Sequence, residues 1–172
     1  IQIIAHMLKP VGCLPVECLI GIEDNKSEAA DTLEATIQRL GLEHEIAVVR
    51  IPTKYPSGGE KQLIQILTGK EVPNGGIPAD IVIVCQNLGT AVAVYKAVVL
   101  GEPLISRITT VTGRALNQPK NLETLIGTPI SVLLAYCGLK DDQLNRLIIG
   151  GPMMGFAIDN LDSPVIKSTN CV

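Results

Sequence analysis

Tryptophan is absent from this sequence of 172 residues, and other aromatic side chains are scarce, with three Tyr and one Phe. A core without large rings has to be filled by Ile, Leu, Val and Ala, a composition that suits a sheet buried on both faces. No cluster of Lys and Arg occurs and the net charge is −3, so the electrostatic footprint of a nucleic-acid partner is missing. No apolar run reaches the roughly 20 residues that a membrane-spanning helix needs. The longest candidate, Ala91 to Leu100, is short and carries Lys96. Any association with a membrane is therefore expected to run through partner proteins.

Cysteine pairs are also missing. Cys13, Cys18, Cys85, Cys137 and Cys171 are odd in number and widely spaced, and none forms a C-x-x-C pair. Neither a zinc site nor an iron–sulfur cluster can be assembled from such neighbours. The expected state is a set of reduced thiols in a protein facing the cytosol. Histidine is limited to His6 and His44, with no motif around either, and no nucleophile–base pair is apparent, so hydrolase chemistry has no support. The chain opens at Ile1 rather than Met, in a stretch that reads as a helix already under way. It carries no signal-peptide pattern, and a piece of a longer polypeptide is expected.

Hydrophobic residues make up 47% of the chain, which excludes a disordered polypeptide. Val16 to Ile22 reads as a buried strand. Asp24 or Asn25 is placed to cap a helix over 27–40, whose Ala30, Leu33, Ile37 and Leu40 share one face. Gly41 ends it, and His44 to Ile51 reads as a second strand. Strand, helix and strand in succession imply parallel pairing. A loop over 52–59 leads to a short helix from Glu60 to Gly69. Asp80 to Cys85 reads as a third strand, followed by a helix over Asn87 to Leu100.

The periodicity then changes. Leu104 to Thr112 is rich in β-branched residues, with Arg114 to Gln118 as the returning strand before Pro119. Thr128 is expected to cap a helix with Pro129 in its first position. Leu147 to Ile149 reads as a short strand ahead of the turn Gly150-Gly151-Pro152-Met153-Met154-Gly155. That turn carries no titratable group, so packing suits it better than catalysis. The fold expected is α/β over 1–104, followed by a small module of hairpin, helix and strand over 105–172.

Two stretches carry candidate chemistry. In Gly58-Gly59-Glu60-Lys61 the glycines permit close backbone approach, and the helix that follows offers unpaired N–H groups to an anion. The same residues would also serve as a plain passage from loop to helix. The stretch is neither a Walker A loop nor a dinucleotide fingerprint. In Cys85-Gln86-Asn87-Leu88-Gly89-Thr90, the amides of Gln86 and Asn87 lie just past the carboxyl end of a predicted strand, where ligands of open α/β sheets gather. Asn87 would equally act as a helix cap.

Longer motifs then become recognisable. GIEDNKSEA, PTKYPSGGEKQLIQILTGKEVPNGGIPAD, QNLGTA, TVTG, IIGGPMMGFA and PVIKSTNC together resemble the C subunit of Rnf-type electron transport complexes over nearly the whole chain. The cobalamin reductase of propanediol utilisation and, more distantly, the flavin-binding subunit of respiratory complex I share parts of this pattern. The resemblance implies a Rossmann-like FMN domain followed by a β-grasp domain of the soluble-ligand-binding (SLBB) type. It also implies two 4Fe-4S clusters in the complete parent, and electron transfer between NAD(H) and ferredoxin or another acceptor. The parent would act as an oxidoreductase and translocase, on the cytoplasmic face of the cell membrane, with the other subunits of the complex as partners. Carried over by position, Gly58, Gly59, Glu60 and Lys61, with Gln86, Asn87 and Thr90, fall where the family meets its flavin and nicotinamide. Lys61 replaces a carboxylate of the complex I relative, and Gln86 replaces an Asn. The family's upstream glycine-rich flavin loop and its downstream cluster motifs are not in this sequence, so this piece by itself is expected to be inactive and to hold no cofactor. A cobalamin-reductase relative and a non-catalytic scaffold are the alternative readings.

The scattered thiols give a first prediction. The purified chain should contain no stoichiometric iron and show no broad absorbance near about 400 nm, the signature of thiolate-bound clusters; iron analysis and a visible spectrum check it.

Overall fold

A computed structural model describes residues 1–8 and 16–172 and divides into two compact units, Ile1–Tyr95 and Lys96–Val172. Cys13 lies outside the described residues. No described helix is long and apolar enough to cross a membrane.

In the first unit a short helix α1 (Gln2–Leu8) precedes β1 (Cys18–Glu23), α2 (Ser27–Arg39), β2 (Ile46–Ile51), α3 (Glu60–Thr68) and α4 (Leu88–Tyr95). β1 and β2 pair in parallel, from Cys18 opposite Ile46 to Glu23 opposite Ile51, as the strand–helix–strand pattern predicts. Side chains alternate across a strand, so β1 presents two different faces. Ile20 and Ile22 pack with Ala30 and Ile37 of α2 and Ile46 of β2. Gly21 points the other way, toward α3. A Cβ added there would lie 2.8 Å from Leu63 Cδ1 and 3.3 Å from Leu67 Cδ1. The sheet thus carries α2 on one face and α3 on the other. α3 stops at Gly69, whose positive φ of 70° ends the helix in the usual left-handed way.

Three local expectations for this unit do not hold. Asp24 and Asn25 do not cap α2: they sit in a 3-10 turn, Asp24–Lys26, and α2 starts behind Lys26 with no side-chain cap. Asp24 is engaged elsewhere, with Thr53. Residues 80–85 form no strand. Pro78–Ile81 is a 3-10 turn held by the Ile77 N–H donating to Asp80 Oδ2 at 2.9 Å, and Val82 turns out of it with a φ of 59°. A strand exists only within a ladder, and here the local turn takes the backbone bonds first. The helix expected over 87–100 ends at Tyr95, where the second unit begins with a π-helical turn, Lys96–Leu100.

The second unit contains β3 (Ser106–Val111), β4 (Lys120–Leu125), α5 (Ile130–Tyr136), β5 (Leu147–Ile149) and β6 (Phe156–Ile158). β3 and β4 form an antiparallel hairpin, and β5 and β6 another. On its second edge β3 receives the last residues of the chain in parallel: Thr110 N–H donates to Asn170 O, Val172 N–H to Thr110 O and Thr112 N–H to Val172 O. α5 closes the core with Ile130, Leu133 and Leu134, packed around Val111, Cys137, Leu147, Ile149 and Val165.

The return strand lies after Pro119, not before it. Proline donates no backbone hydrogen bond and interrupts a ladder. Residues 117 and 118 donate instead to Gly138 O and Cys137 O behind α5, which takes 114–118 out of the sheet. Pro129 rather than Thr128 occupies the cap position of α5, and it makes no side-chain cap bond. β6 has no counterpart among the predicted elements.

The turn from β5 to β6 explains its glycines. A Cβ on Gly155 would lie 2.4 Å from Ile149 O and 2.7 Å from Gly151 O, both rigid backbone atoms, and Gly150 has a φ of 94°. Gly58 faces open space. Gly155→Ala should therefore destabilise the second unit by about 1–3 kcal/mol. Gly58→Ala should change stability by less than about 0.5 kcal/mol. Urea unfolding of both variants beside the parent sequence measures the contrast.

Candidate functional site

The carboxyl end of the parallel sheet is organised by one carboxylate. Thr53, just past β2, donates its Oγ1–H at 2.6 Å and its N–H at 3.0 Å to Asp24 Oδ1, just past β1. Thr53 Oγ1 in turn accepts the Asn25 N–H at 3.3 Å. These bonds tie the two strand ends together before the chain enters the loop toward α3. They also hold the Asp24 carboxyl below its ordinary value, chiefly through the Thr53 hydroxyl, because a carboxylate that accepts hydrogen bonds is favoured over the acid.

The loop then tightens. Ser57 N–H donates to Lys54 O at 2.7 Å, the Ser57 hydroxyl donates to the same carbonyl, and Gly59 N–H donates to Pro56 O at 2.7 Å. Ser57 and Gly59 are buried by this winding, while Gly58, Glu60 and Lys61 are exposed. Gly59 is the N-cap of α3, and no side chain caps the helix. Among the described residues nothing accepts the N–H groups of Glu60, Lys61 and Gln62. The first turn of α3 therefore presents unsatisfied donors, the positive end of the helix dipole and the Lys61 ammonium, next to the Glu60 carboxylate.

Gln86, Asn87 and Thr90 are exposed. Asn87 caps α4: its Oδ1 accepts the Gly89 N–H at 2.8 Å and its carbonyl accepts the Ala91 N–H at 3.1 Å. The carboxamide N–H₂ takes no part in this cap. One link between the two candidate stretches is electrostatic. The Cys85 thiol is pushed up first by burial and then by the Glu60 carboxylate. Burial also raises Cys18 and Cys171, and none of these thiols is primed as a nucleophile. Among the described residues no three His, Cys, Asp or Glu side chains converge on a point where they could hold a metal ion. Both histidines are exposed.

Sequence reasoning favours capping over a ligand role for Asp24 and does not single out Thr53. The available signal is their position, since each follows directly on the end of a parallel strand.

None of these residues lines the hollows found among the described residues. One is lined by Glu34, Gln38 and Glu43 with Ile37, Ile46 and Val48, beside α2 and β2. The other, in the second unit, is lined by Ser131, Gly138 and Asp141.

The Asp24 bonds give a pH prediction. A group whose folded pKa is depressed contributes stability above its unfolded pKa and loses it as pH falls through the folded one. Asp24→Asn should lower the melting temperature at pH 7. The difference from the parent sequence should shrink as pH drops below the ordinary carboxylate range, and melting curves at pH 7, 5 and 3 record it.

Comparison with known proteins gives the family. The family model for the Nuo51 FMN-binding domain matches residues 1–96, and that for the SLBB domain matches residues 108–157. The C subunit of the ion-translocating oxidoreductase complex of Pseudomonas aeruginosa is 57% identical over 158 residues, which are 92% of this chain and 20% of that protein. The proteins of the same description from Cronobacter sakazakii and Vibrio cholerae are each 49% identical over the whole of this chain and 21% of their own length. The chain spans about a fifth of the length of the curated relatives it matches. It belongs to the Nuo51 FMN-binding domain family and, within that family, its sequence groups with the C subunits of ion-translocating oxidoreductase complexes.

Proposed function

We propose that this chain is the part of an electron-transfer subunit that contributes one wall of an FMN site, in a complex coupling NAD(H) and ferredoxin-type electron transfer to ion movement. The observation that carries the reading is the uncapped first turn of α3, with Gly59 wound beneath it, in the segment matching the FMN-binding family. FMN, when bound, supplies the ring that takes up a hydride and passes electrons on.

The residues present fit a phosphorylated flavin. The N–H groups of Glu60, Lys61 and Gln62 and the Lys61 ammonium suit the phosphate. The carboxamides of Gln86 and Asn87 suit the donor and acceptor edge of the ring, with Thr90 beside them. Glu60 carries the negative charge nearest this turn and would order the approach of a nicotinamide. Iron–sulfur clusters belong to the remaining four-fifths of the parent, since the thiols here are scattered. In the intact complex the subunit would sit on the cytoplasmic face of the membrane, held there by its neighbours in the assembly.

The two halves would take the forms that the sequence suggests. The first would be a Rossmann-like domain, which the parallel pair with a helix on each face supports. The second would be a β-grasp module, which the β3–β4 hairpin, α5 and the parallel return at Cys171 support. We set the domain boundary at 104/105, in the exposed stretch between the apolar turn at 96–100 and β3.

Fluorescence titration with FMN tests the site. The 172-residue chain should bind weakly or not at all, and a chain extended upstream by the family's glycine-rich loop should bind tightly. In the extended chain Gly59→Val and Asn87→Leu should each weaken binding by about tenfold or more, each tenfold corresponding to about 1.4 kcal/mol. Tight binding by the short chain would remove the need for the missing loop. Unchanged binding in both variants would mean that the site lies elsewhere.

A further inference from the structure

The inward face of the β3–β4 hairpin outruns its cover. Alternation along β3 puts Val111, Thr109, Arg107 and Ile105 on one side. Val111 and Thr109 are fully buried, Arg107 is half-buried, and Ile105 is 60% exposed. On β4 the same face runs through Thr124, opposite Arg107, to Ile126, whose N–H donates to Ile105 O. Beside it lies the turn from Val165 to Thr169, anchored where Gly127 N–H donates to Val165 O and Thr109 donates its hydroxyl to Thr169 O. Ile166 of that turn is 47% exposed. The core thus closes at Thr109, and past it the face continues as an open aliphatic shelf with Arg107 at its root.

Arg107 is unsatisfied there. Its Nε is buried and has no acceptor among the described residues. A donor taken out of water without a partner is costly, and native proteins seldom leave one so. The elements around it supply no counter-charge. The hairpin strands carry one carboxylate, Glu123, which lies on the outward face and accepts the Ser106 hydroxyl at 2.8 Å. The neighbouring turn adds Lys167 and no acid. Burial alone acts on the guanidinium, with no carboxylate opposing it.

We propose that this shelf, Ile105, Arg107 and Ile126, receives a segment of another subunit that lays aliphatic side chains on the isoleucines and a carboxylate on the Arg107 guanidinium. An arginine set among aliphatic residues is the composition of an interface centre, and its fork matches a carboxylate through two parallel hydrogen bonds. The aliphatic surround selects a peptide carboxylate over a free anion. A second copy of this chain is a poor occupant, because pairing the shelf with itself about a twofold axis would set Arg107 and Lys167 against their own counterparts. The choice of another subunit rests on the reading of this chain as part of a complex; it does not depend on the flavin.

Footprinting of side chains with hydroxyl radicals, read by mass spectrometry, tests the shelf. The chain is joined to the flanking sequence of the Pseudomonas aeruginosa relative and measured alone and after assembly with the other subunits of that complex. Ile105 and Ile166 should react freely in the joined chain alone and lose their labelling in the assembly. Protection already present in the joined chain alone would mean that its own polypeptide covers the shelf, and would overturn the proposal. Labelling unchanged in the assembly would overturn it as well, while leaving the reading of the chain as a subunit intact. Failure of the joined chain to assemble at all would defeat that reading and the occupant with it. Arg107→Met and Ile105→Asp, the second placing a carboxylate of the chain's own on the shelf, should each weaken assembly about tenfold or more. Arg107→Met should not lower the melting temperature of the 172-residue chain, since it removes an unpaired donor. Assembly unaffected by both substitutions, or a lower melting temperature in Arg107→Met, would overturn the proposal, the latter by marking Arg107 as a structural residue.

Discussion

The missing side chain at Gly21 sets how closely α3 can approach the sheet. Leu63 and Leu67 occupy the space that a Cβ would need, and from that contact follow the direction of α3, the place where its first turn opens and the winding of the 54–59 loop behind it. The opposite face of the same strand is filled in the ordinary way, by Ile20 and Ile22 against α2. One strand thus serves two purposes. Its even positions supply burial at roughly 25 cal/mol per Å2 of apolar surface, and its one glycine supplies proximity.

Charge plays a smaller part in stability than the ion pairs suggest. Arg50 Nη2 lies 2.6 Å from Asp31 and 3.0 Å from Glu34, linking β2 to α2, but the groups are solvated and such pairs contribute little. The Asp24 bonds differ in kind. They join backbone and side chain at the mouth of the sheet and fix the loop geometry on which the α3 turn depends. Arg107 differs again: it lies on the inward side of β3 with Nε buried and no acceptor among the described residues, and burial alone lowers its pKa.

Legibility in the sequence follows the physical range of each signal. The β1–α2–β2 unit and α3 are readable because amphipathic spacing and a terminal glycine are local properties. β5 is readable as a short apolar run before a glycine turn. The 80–85 run is not, because its strand propensity is real while its ladder partner is not a local fact, and the Asp80 turn competes with it. The return strand is misplaced for a related reason: Pro119 is visible, but the acceptors that draw 117 and 118 away lie behind α5. At the candidate site, the residue types at 58–61 and 86–90 can be read directly. The role of Thr53 cannot, because it depends on two strand ends meeting across 29 positions of sequence.

The parallel return of residues 170–172 onto β3 has a temporal side. Thr109 on β3 donates its hydroxyl to Thr169 O across 60 positions, and both threonines are fully buried. Contacts of such long separation are slow to form because the intervening chain must first be ordered. During synthesis β3 therefore leaves the ribosome with one edge and part of its inner face bare, and stays so until residues 169–172 have followed. The first unit meets no such delay, since its strands and the helix between them emerge within 34 consecutive residues, Cys18 to Ile51. Folding order is thus written into the path of the chain: the half that matches the flavin family closes early, and the half that follows it waits for residues 169–172.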